Sequence, residues 1–325
     1  MGRWVIIATE RARRPGNFVD RKRNIFTESK DSGFIDNRSV DIYTVKEAAG
    51  GGWKVRVVPS GTPLLTTHKQ LVHRGHGMYD VLSGYGVHEI VIDTPDPIMN
   101  MADLDADQIR LVLETWVTRF NALKEDPHLL YAFAFKNYGD PAQESMGHAY
   151  SQIVASPVIP LHIEEKLTEA QHYYDYHERC LYADIVKQET AERRRVITES
   201  DHFLALIPFA SRFVFEVWIV PKKMHYDFCE GVKGLEKDLA RILRDILQRF
   251  KIGLGDPPYT FVVNSSPFQR RQSYLTKWKD LSEAYCWHIE LTPRLTRVAG
   301  FEKGTGFYIC SIPPEDMAEY LRNAK

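Results

Sequence analysis

Cysteine is scarce: Cys180, Cys229, Cys286 and Cys310 are scattered through 325 residues, and no two form a Cys-x-x-Cys pair. That argues against both a disulfide framework and a zinc ribbon. No stretch approaches the roughly 18 to 20 uninterrupted apolar residues of a membrane span. The opening Met1 to Ala8 carries one Arg and an apolar run too brief for a signal peptide. A surplus of charge is missing as well, because 42 Lys plus Arg face 43 Asp plus Glu. No global field therefore draws the chain to nucleic acid or lipid. Local basic runs at Arg11 to Arg14, Arg21 to Arg23 and Arg193 to Arg195 read as solvated faces. Together these absences point to a globular protein of the reducing cytoplasm.

The length suits two ordinary domains or one duplicated unit. Short runs rich in β-branched and aromatic residues predict strands at Trp4 to Ala8, Trp53 to Val58, His88 to Asp93, Tyr131 to Asn137 and Gln152 to Ser156. Between the third and fourth, Ile109, Leu111, Val112, Leu113, Trp116, Val117, Phe120 and Leu123 recur at helical spacing and predict a helix over Asp103 to Lys124. A second series follows: strands at His202 to Pro208 and Val214 to Val220, a helix over Gly234 to Phe250, then strands at Tyr259 to Asn264 and Cys286 to Leu291. Pro95 and Pro221 lie about 126 residues apart, and Asn137 and Asn264 about 127, which suggests an internal duplication. Glu164 to Glu189 reads as one long helix crossing between the halves, or as a solvent-facing surface.

The stretch richest in chemistry is Phe135-Lys136-Asn137-Tyr138-Gly139, then Ser145-Met146-Gly147-His148-Ala149-Tyr150-Ser151-Gln152. Alternation along a strand puts His148, Tyr150 and Gln152 on one face. A ring nitrogen, a phenol and an amide so placed suit gripping a phosphate or passing it a proton. A lone His beside a strand is more often a hydrogen-bonded structural residue, so the pattern alone leaves both readings open.

Motifs in order along nearly the whole chain carry a resemblance. They are Trp4-Val-Ile-Ile-Ala8, Glu10 to Pro15, Trp53 to Pro59, His88 to Pro95, Phe135-Lys-Asn137, Pro208 to Phe213, Phe215 to Pro221, Trp287-His-Ile-Glu290, Pro293 to Glu302 and Gly304 to Tyr308. The sequence resembles the galactose-1-phosphate uridylyltransferases and ADP-glucose phosphorylases of the histidine-triad-like superfamily. The resemblance implies an α+β class: a duplicated histidine-triad-like fold, with two antiparallel sheets and helices packed on one face. It also implies halves at 1–162, carrying the phosphate-binding motif, and 163–325, paired in a homodimer.

In that family a His-x-His-x-Gln motif lies beside the α-phosphate of a sugar nucleotide, and its second His attacks phosphorus. Here the motif reads His148-Ala149-Tyr150-Ser151-Gln152, so Tyr150 stands at the nucleophile position. The resemblance makes Tyr150, His148 and Gln152 the catalytic candidates and places Arg11, Arg14, Asn137 and Ser145 around the nucleotide. Phe301 and Glu302 fall where a partner subunit contacts the hexose. Many members carry structural zinc, but here Asn24-Ile25-Phe26-Thr27 replaces the Cys-x-x-Cys pair and Pro97 replaces a His. At a second metal site Asn264 and Cys286 replace two histidines; His288 remains, with Glu165 as a further donor. No metal and no cofactor are expected. The implied activity is uridylyl or adenylyl transfer to a sugar phosphate or phosphate, with the base left open. A catalytically degenerate nucleotide-binding or regulatory protein is the alternative, as is a hydrolase or lyase built on the same pocket.

Overall fold

The computed structural model describes residues 5–7, 41–46, 52–68, 70–139, 148–268 and 277–324. In the first half the predicted strands appear as β1 (Val5–Ile7), β3 (Trp53–Pro59), β6 (Val87–Ile92), β7 (Tyr131–Tyr138) and β8 (Tyr150–Ser156). β2 (Tyr43–Lys46) and the exposed hairpin β4 (His73–His76) and β5 (Tyr79–Leu82) join them. The predicted helix is α1 (Ala106–Leu123), which starts later than Asp103 because Asp105 caps it by accepting the Gln108 amide at 2.7 Å. The Gln108 side chain donates to the Lys54 and Asp93 carbonyls at 2.8 and 2.6 Å, which fixes the start of α1 over the sheet. Ile109, Val112, Leu113, Trp116, Phe120 and Leu123 all lie on its buried face.

The crossing segment corrects the prediction of one long helix. It forms α2 (Leu161–His177) and α3 (Leu181–Glu192), and Glu178, at φ +53° in the left-handed region, ends the first. The second half contains β9 (Val196–Glu199), β10 (Phe203–Leu206), β11 (Val217–Pro221), the short α4 (Phe228–Val232), α5 (Glu236–Gly253) and β12 (Tyr259–Asn264). It ends with α6 (Leu281–Ala284), β13 (His288–Pro293), α7 (Gly300–Thr305), β14 (Tyr308–Cys310) and α8 (Pro314–Asn323). A second correction concerns Arg195. Far from lying on a solvated face, it is 4 % exposed and bonded to Glu189 and Glu315 at 2.9 and 2.7 Å.

The α+β class holds. Each half contributes five antiparallel strands, and the two sets meet edge to edge in one ten-stranded sheet ordered β2-β3-β6-β8-β7-β12-β13-β11-β10-β9. The junction is the antiparallel pair β7–β12, with Tyr138 opposite Tyr259 and Phe135 opposite Val262. The order reads the same outward from that junction in both directions, as a duplication requires. Helices α1 and α5 pack together on one face over a continuous apolar core. On the other face α2 and α3 cover the second half, packing Leu167 and Tyr182 against Leu204, Leu206, Trp218 and Val220.

Trp116 ties the two halves together. It is fully buried, donates to Ser151 Oγ on β8 at 3.0 Å, and its ring lies 6.0 Å from that of Phe261 on β12. Trp116→Ala is expected to cost about 3–5 kcal/mol of folding stability, read as a lower urea midpoint with an unchanged slope.

Candidate functional site

β8 has two faces that do different work. Toward the core, Ser151, Ile153 and Ala155 are buried, and behind the strand lies an ion pair with no exposed side-chain surface. Lys136 Nζ donates to Asp93 Oδ2 at 2.9 Å and to the Tyr150 carbonyl at 2.7 Å. Ser151 Oγ donates to the other Asp93 oxygen at 2.8 Å. Burial pushes the Asp93 carboxyl up and the Lys136 ammonium down, and their mutual attraction opposes both shifts. Neither residue was assigned a role in the sequence: Lys136 lies in the stretch richest in chemistry, and Asp93 lies in a motif quoted for resemblance.

The opposite face carries Tyr150 and Gln152. Gln152 Oε1 lies 2.8 Å from His88 Nε2, while His88 Nδ1 accepts the Leu64 amide at 3.2 Å. With Nδ1 an acceptor, the ring proton resides on Nε2 and is donated to the Gln152 oxygen. Among the described residues the Gln152 Nε2 amide hydrogens meet no acceptor. Asn137 is arranged alike: Thr260 Oγ1 donates to its Oδ1 at 2.8 Å, so its NH₂ group is the remaining half. Phe135 is the cross-strand partner of Gln152, and Asn137, two residues further along β7, shares its face toward the Tyr150 end of β8. Two amide groups, each with its oxygen held by a protein donor, thus sit on one surface. His88 and Thr260 were missed in the sequence, since each acts through a residue far away in the chain.

Tyr150 is 8 % exposed, its ring packed with Val58, Ile90 and Ile92, with Trp53 alongside. His148 precedes the strand and is half-buried. Its Nδ1 donates to the Asp96 carbonyl at 2.8 Å, which directs the Nε2 lone pair outward in the neutral ring. Phe301 and Glu302 lie on α7, where Glu302 accepts the Ala299 amide at 3.0 Å and Phe301 is 45 % exposed. Among the described residues no hydrogen bond joins them to Gln152. Arg11, Arg14, Ser145 and residues 24–27 lie outside the described residues.

The second metal set does not fit a metal. Cys286 Sγ donates to the Trp287 carbonyl at 3.3 Å, and burial pushes its thiol up; His288 Nδ1 donates to the Cys286 carbonyl at 3.1 Å. Among these donors stands a cation of the chain itself: Lys166 Nζ bonds Asn264 Oδ1 at 2.9 Å and Glu290 Oε1 at 2.8 Å. Among the described residues no cluster of three or more His, Cys, Asp or Glu side chains could hold a metal. Burial alone would raise the Glu290 carboxyl, yet Lys166 and Arg212 together hold it well below the usual carboxylate range. Nor is any helix among the described residues long and apolar enough to cross a membrane.

Comparison with known proteins agrees with this architecture. The galactose-1-phosphate uridyl transferase N-terminal domain matches residues 65–160, and the C-terminal domain of the same enzymes matches residues 166–303. An ADP-glucose phosphorylase of Arabidopsis thaliana is 31% identical over 98% of this chain and 90% of its own length. A galactose-1-phosphate uridylyltransferase of Thermotoga maritima is 30% identical over 74% of each. The crystal structure of an ADP-glucose phosphorylase from Arabidopsis thaliana with bound ADP-glucose superposes at a TM-score of 0.74 and 29% identity, covering 88% of this chain and 87% of that one. This chain belongs to the galactose-1-phosphate uridylyltransferase family.

Two predictions follow from the buried charges. Lys136→Met leaves Asp93 without its partner and is expected to cost about 3–5 kcal/mol in urea unfolding, while adding Asp93→Asn recovers much of the loss. For Glu290 the folded pKa is depressed, so its stabilisation is complete above the ordinary glutamate value of about 4.3 and drains away as pH falls below it. Glu290→Gln therefore flattens the acid limb of a stability–pH curve, even though it weakens the fold at neutral pH.

Proposed function

We propose that this chain transfers a nucleotidyl group from a sugar nucleotide to phosphate or a sugar phosphate, with the α-phosphate held over β7 and β8. The observation that carries this reading is the paired orientation of Asn137 and Gln152, whose oxygens are committed to Thr260 and His88 and whose amide hydrogens remain to meet phosphate oxygens. Arg11, Arg14 and Ser145 belong to the same proposal as further phosphate contacts. So do the division into halves near residue 162 and pairing as a homodimer, with Phe301 and Glu302 of one subunit meeting the sugar bound to the other.

In the double-displacement route, the Tyr150 oxygen bonds to the α-phosphorus as the phosphorus–oxygen bond to the departing sugar phosphate breaks. The phenolic proton passes to His148 Nε2. The acceptor oxygen then displaces tyrosine, and the proton returns. In direct transfer the acceptor attacks phosphorus without the tyrosyl intermediate, and His148 takes the acceptor's proton. The apolar seat of Tyr150 favours a second reading, nucleotide binding without turnover.

Intact-mass measurement after incubation with UDP-glucose or ADP-glucose separates these. A nucleotidyl adduct that disappears in Tyr150→Phe marks the covalent route. Turnover without adduct, inverting configuration at phosphorus, marks direct transfer. Binding with no turnover under either phosphate or sugar phosphate defeats the enzymatic proposal. Tyr150→His is expected to gain uridylyl or adenylyl transfer if the phosphate cradle is intact.

A further inference from the structure

In the second half Leu206 on β10 faces Trp218 on β11, and Trp218 faces Glu290 on β13, so the three stand in one row across the sheet. The same row in the first half is Val58, Ile90 and Gln152. Leu206, Trp218 and Glu290 form part of the wall of a cavity of roughly 500 Å³, whose other walls come from α2, α3 and the segment after β10. That volume lies within the range of small-molecule sites.

The charged side chains of this wall are committed to partners within the chain. Lys166 lies 2.8 Å from Glu290, and Arg212 lies 2.9 Å from Glu290 and 2.8 Å from Glu216. Arg195 reaches Glu189, Glu192 and Glu315 at 2.8, 3.2 and 2.7 Å. Glu165 and Glu169 on α2 are engaged as well. A charged ligand of either sign would have to draw one of these groups out of its pairing, and breaking a buried pair strands the charge left behind. An uncharged ligand disturbs none of them. The rest of the wall suits such a molecule, because Ile185, Leu206, Pro208, Phe209 and Trp218 make it apolar. Phe209 is 65 % exposed, with the Arg195 guanidinium 5.3 Å from its ring centroid. A large aromatic ring left in water beside an apolar cavity gains from being covered.

We propose that this cavity is a second ligand site, on the half of the molecule away from Tyr150 and Gln152, and that it binds an uncharged, mainly apolar small molecule of aromatic type. The ligand lies along Trp218 and Leu206 and covers Phe209, while the ion pairs around it stay intact. Its affinity therefore depends little on salt, unlike that of a nucleotide at a phosphate-binding surface. This inference does not rest on the nucleotidyl-transfer proposal, and either can fail alone.

Calorimetric titration of the full chain tests it with indole-3-ethanol as the uncharged probe, and with tryptamine and indole-3-acetate as cationic and anionic counterparts of nearly the same size. Indole-3-ethanol is expected to bind, to exceed both counterparts in affinity by tenfold or more, and to change less than twofold when salt is added. Ala210 also lines the cavity and is exposed. Ala210→Trp, which places a bulky ring at that wall, is expected to lower the affinity for indole-3-ethanol at least tenfold while leaving UDP-glucose or ADP-glucose binding unchanged. Absence of binding at millimolar indole-3-ethanol, equal or tighter binding of either charged counterpart, or an unaltered affinity in the folded variant overturns the proposal. So does binding that is lost as the chain is concentrated, which assigns the face to a second copy. If the variant does not fold, an uncharged indole carrying a diazirine is used on the natural chain. Labelling within residues 161–192 or 206–218 supports the site, and labelling confined to other peptides overturns it.

Discussion

Behind β8 the Lys136 ammonium is clamped between the Asp93 carboxylate and the Tyr150 carbonyl, and neither charged side chain has any exposed surface. Asp93 in turn holds Ser151, and Ser151 holds the indole of Trp116 on α1. An ion pair this deep is stable only when its geometry is maintained, because any drift leaves charge unsolvated. The strand backbone at 150 and 151 is therefore pinned from the core side. The face that bears Tyr150 and Gln152 inherits that rigidity, which is what a preorganised phosphate surface needs.

The two halves use charge differently. In the first, the lysine lies on the core side of the sheet and the outer face offers neutral amide donors. In the second, Lys166 comes from a covering helix and reaches down to Asn264 and Glu290 on the outer face itself. One duplicated framework thus carries neutral amide groups on the outer face of one half and a lysine bonded to Asn264 and Glu290 on that of the other. Lys166 there lies among Asn264, Cys286 and His288, the positions where the resemblance implies a metal site, and bonds Asn264 and Glu290.

Much of this was legible in the residue pattern. Strands β3, β6, β7 and β12 are runs of β-branched and aromatic residues, and α1 and α5 repeat their apolar positions every three or four residues. The break at Glu178 was not legible, because no Gly or Pro marks it and a glutamate takes up the left-handed conformation that ends α2. Buried charges escaped for a similar reason. Lys136 and Asp93 are separated by 43 positions, and His88 and Gln152 by 64, so their partnership arises only once strands pair. In a linear sequence a lysine destined for the interior looks like one destined for water. The amide types of Asn137 and Gln152 were readable, whereas the way their heads are turned was not.

The β7–β12 seam has a consequence for how such a molecule could have arisen and how it can be divided. Either half alone would display an innermost strand with a full row of bare amides and carbonyls, an open template for other chains. Joined, each half is the other's edge protector. An ancestral single unit would have needed a second copy of itself at that border, so gene fusion would have made permanent a partnership that had previously depended on concentration.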